Sequence, residues 1–394
     1  MQLSLFDMQI VSTYLNTTRS LKNVIMTCKK FEHLNESLHF NTVRLTQKNY
    51  KLFAHIATQY VYTSYDYILP NIKHIYLCRV KYSDVKNNNI DEFRDVILDE
   101  GATVIDKRFT INHIKTYEYK KITKLIVPDF VKCMNSYLTN YKLKSIIIGN
   151  NVTKIDDNTF EYCKCLQEIV IPDSVTKIGD CCFNMCERLE YVKMSKNITK
   201  IPNCCFDYCN ILHDIELNEG LVELGHNCFR ENYGLEEIKL PQSLKIIGQQ
   251  CFKDSNLRKI NLNKGLKKIE EGAFSGTRLE EIEIPEGITT IESQTFIHCS
   301  YLTKVVLPTT LKKIEMYAFY GCESLKEVTI PTGVIELGKY SFAESGLTKI
   351  TLPDTLEKIS HDCFNKCAHL KELVLPESVK FVNDAFSECD AEIN

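Results

Sequence analysis

Eleven phenylalanines recur along the second part of the chain at a spacing of 22 or 23 residues. They are Phe160, Phe183, Phe206, Phe229, Phe252, Phe274, Phe296, Phe319, Phe342, Phe364 and Phe386. A spacing this regular indicates that one structural unit is repeated along the chain. A unit of that size cannot bury its apolar residues alone, so neighbouring units must stack into a continuous core. The repeat therefore predicts a solenoid.

Each unit carries the same frame of apolar residues around its phenylalanine. Residues 166–186 follow the pattern L-x-x-I-x-I-P-x-x-V-x-x-I-x-x-x-x-F-x-x-C, and residues 302–322 match it position for position. The opening part predicts a short strand with alternate side chains directed inward, and the middle part predicts a second extended segment. The segment around the phenylalanine is expected to return as one or two helical turns. The predicted fold is an α/β repeat solenoid with a parallel sheet.

Eighteen cysteines suggest a disulfide scaffold or metal sites, but their positions favour a packing role. Most of them directly precede the repeated phenylalanine or follow it by three residues, and other repeats place Ala, Ser, Thr or Asn there. This substitution pattern predicts that the position selects small size, because a free cysteine packs as a small apolar residue. A zinc site at Cys181, Cys182 and Cys186 and a disulfide ladder are the alternatives. We expect no metal and no cofactor.

The full frame resembles the BspA-type leucine-rich repeats of bacteria and parasitic protists, over residues 141–394. The period of 22 or 23 residues lies within the range of leucine-rich repeats. The resemblance implies a protein that binds other proteins and is not an enzyme. It also implies a role at the cell surface or in adhesion, which is described for members of this family.

The N-terminal part of the chain differs from the repeats and is predicted to be a small helical module. Residues 1–45 resemble an F-box, the module that docks on the adaptor of cullin-type ubiquitin ligases, or form an N-terminal cap. The resemblance would place seven residues against the adaptor: Ile10, Val11, Tyr14, Leu15, Leu21, Cys28 and Phe31. Residues 46–140 read as degenerate repeats that form a junction with the regular array.

Composition and motifs exclude several classes of function. The formal net charge of -3 provides no broad attraction for nucleic acid. No apolar run reaches the ~18 residues that a membrane-spanning helix needs. The N-terminus lacks the basic start and apolar stretch of a secretory signal, which predicts a cytoplasmic location. Phosphate-binding loops, nucleophile elbows and paired catalytic carboxylates are absent from the sequence, so we predict no enzymatic activity.

The outward positions of the first strands predict where a partner binds. In the later repeats the position before each central Ile, Val or Leu alternates between Lys and Glu, which predicts a self-paired charge ladder. In the earlier repeats the outward positions are more acidic and hold an aromatic residue, the type enriched at binding hot spots. The predicted site there, for a basic protein partner, consists of Tyr191, Lys193, Asp214, Glu216 and Glu237. An interaction scaffold is the first prediction for the function, with a ligase substrate receptor and an adhesin-like protein as alternatives.

Overall fold

The chain divides into two compact units, residues 1–122 and 123–394. The computed structural model describes residues 58–61, 73–81, 92–97, 123–127, 132–134, 142–381, 384–389 and 391–393. In the first unit these residues form a parallel three-stranded sheet of β1 (Thr58–Val61), β2 (Lys73–Lys81) and β3 (Glu92–Ile97), with β2 in the centre. The register of β2 against β3 shifts between Tyr76 and Arg79.

The second unit, residues 123–394, contains two series of short parallel strands. The first ladder consists of β4 (Lys124–Ile126), β6 (Ser145–Ile147), β8 (Glu168–Val170), β10 (Tyr191–Lys193), β12 (Asp214–Glu216), β14 (Glu237–Ile238), β16 (Lys259–Ile260), β18 (Glu281–Glu283), β20 (Lys304–Val306), β22 (Glu327–Thr329), β24 (Lys349–Thr351), β26 (Glu372–Leu373) and β28 (Glu392–Ile393). Strands β4 to β12 form one continuous sheet, and the later strands pair two by two.

The second ladder follows the first, one strand to each repeat. It consists of β5 (Cys133–Met134), β7 (Lys154–Ile155), β9 (Lys177–Ile178), β11 (Lys200–Ile201), β13 (Glu223–Leu224), β15 (Ile246–Ile247), β17 (Lys268–Ile269), β19 (Thr290–Ile291), β21 (Lys313–Ile314), β23 (Glu336–Leu337), β25 (Lys358–Ile359) and β27 (Lys380–Phe381). Its sheets are β5 to β9, β11 to β17 and β19 to β27. The predicted parallel repeat solenoid is confirmed. The division into 1–45, 46–140 and 141–394 stays a prediction.

The core is a continuous stack of aromatic rings. All eleven phenylalanines of the repeat stack on their neighbours, with ring centroids 5.2–5.8 Å apart and ring planes within 12° of parallel. Ten of them, from Phe160 to Phe364, are completely buried. Around the rings pack the inward residues of both ladders, such as Ile169 and Ile178. Burial of this periodic apolar set is the main force that holds successive repeats together.

The segment that carries the phenylalanine is a run of turns, so the predicted helical turns are wrong within the described residues. Left-handed residues recur four apart in it, as at Cys181 (φ 55°) and Met185 (φ 57°), and interrupt any helix. Alternate N–H groups of the segment donate to the next repeat, and those between them donate to the residue three positions earlier in the same turn. The N–H groups of Asn158, Phe160 and Tyr162 each meet a carbonyl of the next repeat at 2.9 Å. A third series of hydrogen bonds between repeats thus replaces the helix.

The cysteine three residues after the phenylalanine has a polar role that the sequence did not indicate. Cys209 Sγ donates to the carbonyl of Phe183, one repeat earlier, at 3.2 Å, and Asn232 Nδ2 donates to the carbonyl of Phe206 at 2.8 Å. The same bond recurs at Cys186, Cys299, Cys322 and Cys367. Size selection at this position stays a prediction, because the buried hydroxyl of Ser255, at the same position, has no hydrogen-bond partner among the described residues. Where the bond forms, it pairs a buried carbonyl, whose unpaired lone pair would cost free energy.

Candidate protein-binding face

Three in-register strands of the first ladder place the predicted site residues side by side. In β10, Tyr191 and Lys193 point outward on either side of Val192, which is buried. Tyr191 lies opposite Glu168 of β8 and Asp214 of β12, and Lys193 lies opposite Glu216. This alternation follows from the two-residue period of a strand, which sends successive side chains to opposite faces. Four of the five predicted residues are thus brought together on one face.

Glu216 is the centre of a small hydrogen-bonded network. The Tyr191 hydroxyl donates to Glu216 Oε1 at 2.6 Å, and Lys193 Nζ lies 2.9 Å from Glu216 Oε2. The hydrogen bond to Glu216 raises the pKa of Tyr191 to about 12. The bonds from Tyr191 and Lys193 in turn lower the pKa of Glu216. The three side chains are exposed enough for a partner to reach them, and the network fixes the position of the Tyr191 ring.

Two exposed carboxylates flank this network without a partner among the residues that the structure describes. Glu168 and Asp214 flank Tyr191, and no described residue makes a side-chain hydrogen bond or an ion pair with either. Glu237 is exposed in the same way, but its strand β14 is not hydrogen-bonded to β12. The structure therefore does not bring the fifth predicted residue into the Tyr191 sheet. The face has unpaired negative charge on both sides of an aromatic ring.

Two exposed apolar side chains extend this face toward the N-terminus, and sequence reasoning missed them. Ile147 of β6 is 53% exposed and Val170 of β8 is 52% exposed. Both lie on the outward column that continues through Lys193 and Glu216. They line an open groove of about 700 Å³, which Lys193 and Glu168 also border. The signal was present in the sequence, because Ile147 and Val170 stand at an outward position where the next two strands hold Lys193 and Glu216. Val306 and Val374 are exposed at the same position of later repeats.

The alternating charges of the later repeats do not form the predicted ladder of ion pairs. Neighbouring strands place Glu237 opposite Lys259 and Glu281 opposite Lys304, as the alternation requires. Nevertheless, no ion pair joins these side chains within the described part of the chain. Ion pairs form instead on the second ladder, where Glu336 lies between two lysines. Exposed charges gain little from pairing, so the side chains of the first ladder remain solvated.

The fully buried cysteines are poorly suited to metal binding or nucleophilic chemistry. The described residues contain no cluster of three or more His, Cys, Asp or Glu side chains that could hold a metal ion. Burial raises the pKa of Cys182 and Cys186 well above the usual thiol value, which disfavours the reactive thiolate. The zinc alternative at Cys181, Cys182 and Cys186 therefore has no structural support among these residues.

The seven residues predicted to meet a ligase adaptor lie outside the described residues. They are Ile10, Val11, Tyr14, Leu15, Leu21, Cys28 and Phe31. The F-box resemblance and the helical module therefore stay predictions. In the part of the chain that the structure describes, there is no helix of the length and apolar character needed to cross a membrane.

The stacked parallel strands, the repeat of 22 or 23 residues and the buried aromatic core define a leucine-rich-repeat solenoid. The family model of the BspA-type leucine-rich-repeat region matches the chain in six copies, over residues 131–254, 222–309 and 290–393. The chain belongs to this family of BspA-type leucine-rich-repeat proteins. Proteins with this fold are typically not enzymes, and no catalytic family is indicated.

Solved structures of leucine-rich-repeat proteins are similar to this chain to different degrees. A leucine-rich repeat protein from Bacteroides ovatus ATCC 8483 is 26% identical, with 74% of this chain and 83% of that chain covered and a TM-score of 0.56. A leucine-rich cell surface protein from Faecalibacterium prausnitzii A2-165 is 22% identical, with coverage of 80% and 87% and a TM-score of 0.45. A leucine-rich repeat protein from Eubacterium ventriosum ATCC 27560 is 20% identical, with coverage of 87% and 85% and a TM-score of 0.46. No curated protein matches the chain.

Proposed function

We propose that this chain is a protein-interaction scaffold whose partner binds the outward face of strands β6 to β12. We call this surface the Tyr191 face; it comprises Ile147, Glu168, Val170, Tyr191, Lys193, Asp214 and Glu216. One observation carries the proposal: exposed apolar side chains, a positioned tyrosine and unpaired carboxylates share one continuous sheet surface. Leucine-rich-repeat proteins typically bind proteins, which supports the same conclusion.

The chemistry of the face favours a partner that carries basic and apolar side chains together. Glu168 and Asp214 offer two carboxylates to Lys or Arg, and the partner's charge would be paired without breaking an ion pair of the solenoid. Covering the exposed halves of Ile147 and Val170 would contribute about 2 kcal/mol of hydrophobic free energy. Tyr191 is held by Glu216, so the ring loses little conformational entropy on binding. The face therefore suits a basic protein segment with an apolar edge.

The test compares charge reversals at two equivalent positions of the first ladder. Asp214→Lys lies in the Tyr191 face, and Glu327→Lys makes the same type of change on β22, outside it. Tagged full-length protein and the two variants would be used for affinity purification, with bound proteins identified by mass spectrometry. The dissociation constant of each purified candidate would then be measured by calorimetry, after circular dichroism has shown that the variants fold.

We expect Asp214→Lys to weaken binding at least about tenfold, the effect of losing ~1.4 kcal/mol, and Glu327→Lys to leave it unchanged. Tyr191→Ala should weaken binding as well, since aromatic residues at the centre of an interface often dominate its energy. Equal affinities for the wild type, Asp214→Lys and Tyr191→Ala would reject the Tyr191 face as the binding surface. Neither a ligase substrate receptor nor an adhesin-like protein gains support from the described residues.

A further inference from the structure

Two cysteines occupy the same position in consecutive repeats, at the start of the turn segment. Cys181 and Cys204 both adopt the left-handed conformation, with φ of 55° and 51°. The N–H of Cys181 donates to the carbonyl of Asn203, directly before Cys204, at 2.9 Å. Two residues further along, the rings of Phe183 and Phe206 are 5.3 Å apart, which gives the local spacing between the repeats. Bridged cysteines have Cα atoms about 4.4–6.8 Å apart, so this spacing is compatible with a disulfide.

The two thiols are close to each other and open to solvent, unlike those beside them. Both side chains are half-buried and free, whereas the adjacent Cys182 and Cys205 are completely buried. The Cys181 and Cys204 thiols are close enough for each to influence the pKa of the other. A small oxidant can therefore reach this pair, and the second sulfur is already next to the first.

The arrangement is a single pair and not a ladder of thiols. The equivalent position of the repeat before Cys181 is Asn158, and that of the repeat after Cys204 is Asn227, both also left-handed. Asparagine is one of the residues that tolerate this conformation best, so it suits the position on structural grounds alone. Cysteine replaces it in the two repeats that are adjacent to each other.

We propose that Cys181 and Cys204 form a reversible disulfide when the protein meets a hydroperoxide. In the first step the sulfur of one of the two cysteines attacks hydrogen peroxide, an S–O bond forms as the O–O bond breaks, and the released hydroxide takes up the thiol proton as water. In the second step the sulfur of the other cysteine attacks the resulting sulfenic acid, which forms the S–S bond and releases a second water. Two thiols are oxidised and one hydrogen peroxide is reduced to two waters.

Either thiol can make the first attack, because the two side chains are half-buried alike. Burial and the charge of Asp207 raise the pKa of Cys204, but contacts with Cys181, Arg230 and Asn227 oppose that rise. The pKa of Cys181 is raised to about 12, chiefly by burial and by the neighbouring Cys204. Both thiols are mostly protonated at neutral pH, so the reaction should become faster as the pH rises from 7 to 9.

The disulfide would link the two repeats that present the candidate binding face. The repeat of Cys181 continues into β10 with Tyr191, and the repeat of Cys204 continues into β12 with Asp214. A covalent link between them would restrict separation of these repeats in partly unfolded states. Oxidation is therefore expected to raise the thermal midpoint of unfolding, and reduction should reverse the increase. The disulfide proposal does not depend on partner binding.

The test uses full-length protein treated with a small excess of hydrogen peroxide, which is then removed with catalase. Remaining thiols are alkylated in denaturant, and tryptic peptides are analysed by mass spectrometry with and without reductant. We expect the peptide of Cys181 to be linked to that of Cys204, and the link to disappear with a reductant. Cys181→Asn and Cys204→Asn, which copy the residues of the flanking repeats, should each abolish it.

A matched control separates this pair from Cys182 and Cys205, the adjacent buried thiols in the same two peptides. The double variant Cys182→Ala and Cys205→Ala should keep the link, since Ala273 and Ala318 occupy that position in other repeats. The proposal would be overturned if Cys181 and Cys204 remained alkylatable after peroxide or were converted singly to sulfinic acid. A link that persisted in Cys181→Asn, or that was lost in the alanine double variant, would overturn it as well.

Discussion

Replacing a central ring of the phenylalanine stack measures how strongly the repeats depend on one another. Phe206 is completely buried and stacks on Phe183 at 5.3 Å and on Phe229 at 5.6 Å. Its burial is worth about 2–3 kcal/mol, and each stacked pair adds about 0.5–1.5 kcal/mol. Phe206→Ala should therefore lower the free energy of unfolding by about 4 kcal/mol, within the ~3–5 kcal/mol typical of such truncations.

Phe206→Leu is the matched control, because leucine keeps most of the apolar volume and removes the stacking. It should cost about 1–2 kcal/mol, and the difference from alanine isolates burial and cavity formation. Unfolding in urea would be followed by far-ultraviolet circular dichroism, since the chain has no tryptophan to serve as a fluorescent probe. Each repeat contacts only its neighbours, so the alanine variant should also broaden the transition as the two parts of the array lose coupling.

The reasoning would be refuted if Phe206→Ala cost less than about 1 kcal/mol. That result would mean that the strand ladders and the turn hydrogen bonds hold adjacent repeats together without the ring. Equal losses for the leucine and alanine variants would contradict the division of the cost between burial and stacking.

Three further predictions test individual contacts. The hydrogen bond to Glu216 raises the pKa of Tyr191 to about 12 in the folded state, so the stability that this bond contributes is present below about pH 10 and is lost as the pH rises through 12. The difference in phenolate absorbance between the wild type and Tyr191→Phe should therefore titrate near pH 12. A midpoint near pH 10 would contradict the network. Arg230→Leu should lower the free energy of unfolding by about 2–4 kcal/mol, because it leaves the buried carboxylate of Asp207 without its partner. Arg230 donates two hydrogen bonds to this carboxylate, at 2.8 and 2.9 Å. That deficit should shrink at acidic pH as Asp207 is protonated, and a pH-independent deficit in urea unfolding would argue against the buried charge. Cys209→Ala should lower the free energy of unfolding by about 1–2 kcal/mol, because the buried hydrogen bond to the Phe183 carbonyl is lost. Cys209→Ser keeps a donor and should be less destabilised in thermal or urea unfolding. Equal destabilisation of the two variants would argue against that bond.

The periodic residues made the core predictable. Phe183 and Ile169 recur in the same frame in every regular repeat, so one environment had to accommodate all copies, and both are buried as expected. The pairing register of neighbouring strands could also be predicted from the sequence, because equal repeat lengths place Tyr191 beside Asp214. A pattern that recurs in many repeats is little affected by an exception in one of them, which is why these predictions are confirmed.

The outward contacts were harder to predict because they depend on the geometry of particular neighbours. The alternating charges suggested an ion pair between Glu281 and Lys304, which lie opposite each other, but no ion pair joins them in the described part of the chain. Ion pairs form in the second ladder, where two lysines pair with Glu336. Glu237 appeared to continue the site, yet its strand does not hydrogen-bond to β12. Spacing alone does not indicate where a ladder is interrupted or which exposed side chains meet.

The sequence by itself determined the solenoid, the stacked core and the face on which Tyr191 lies, because burial repeats with the period of the chain. Only the tertiary structure decided the path of the turn segment, since left-handed residues and hydrogen bonds between repeats outweigh local helix formation there. It also distinguished the half-buried pair of Cys181 and Cys204 from the buried cysteines beside them. That difference arises from the direction in which adjacent residues of a turn point, and no one-dimensional pattern records it.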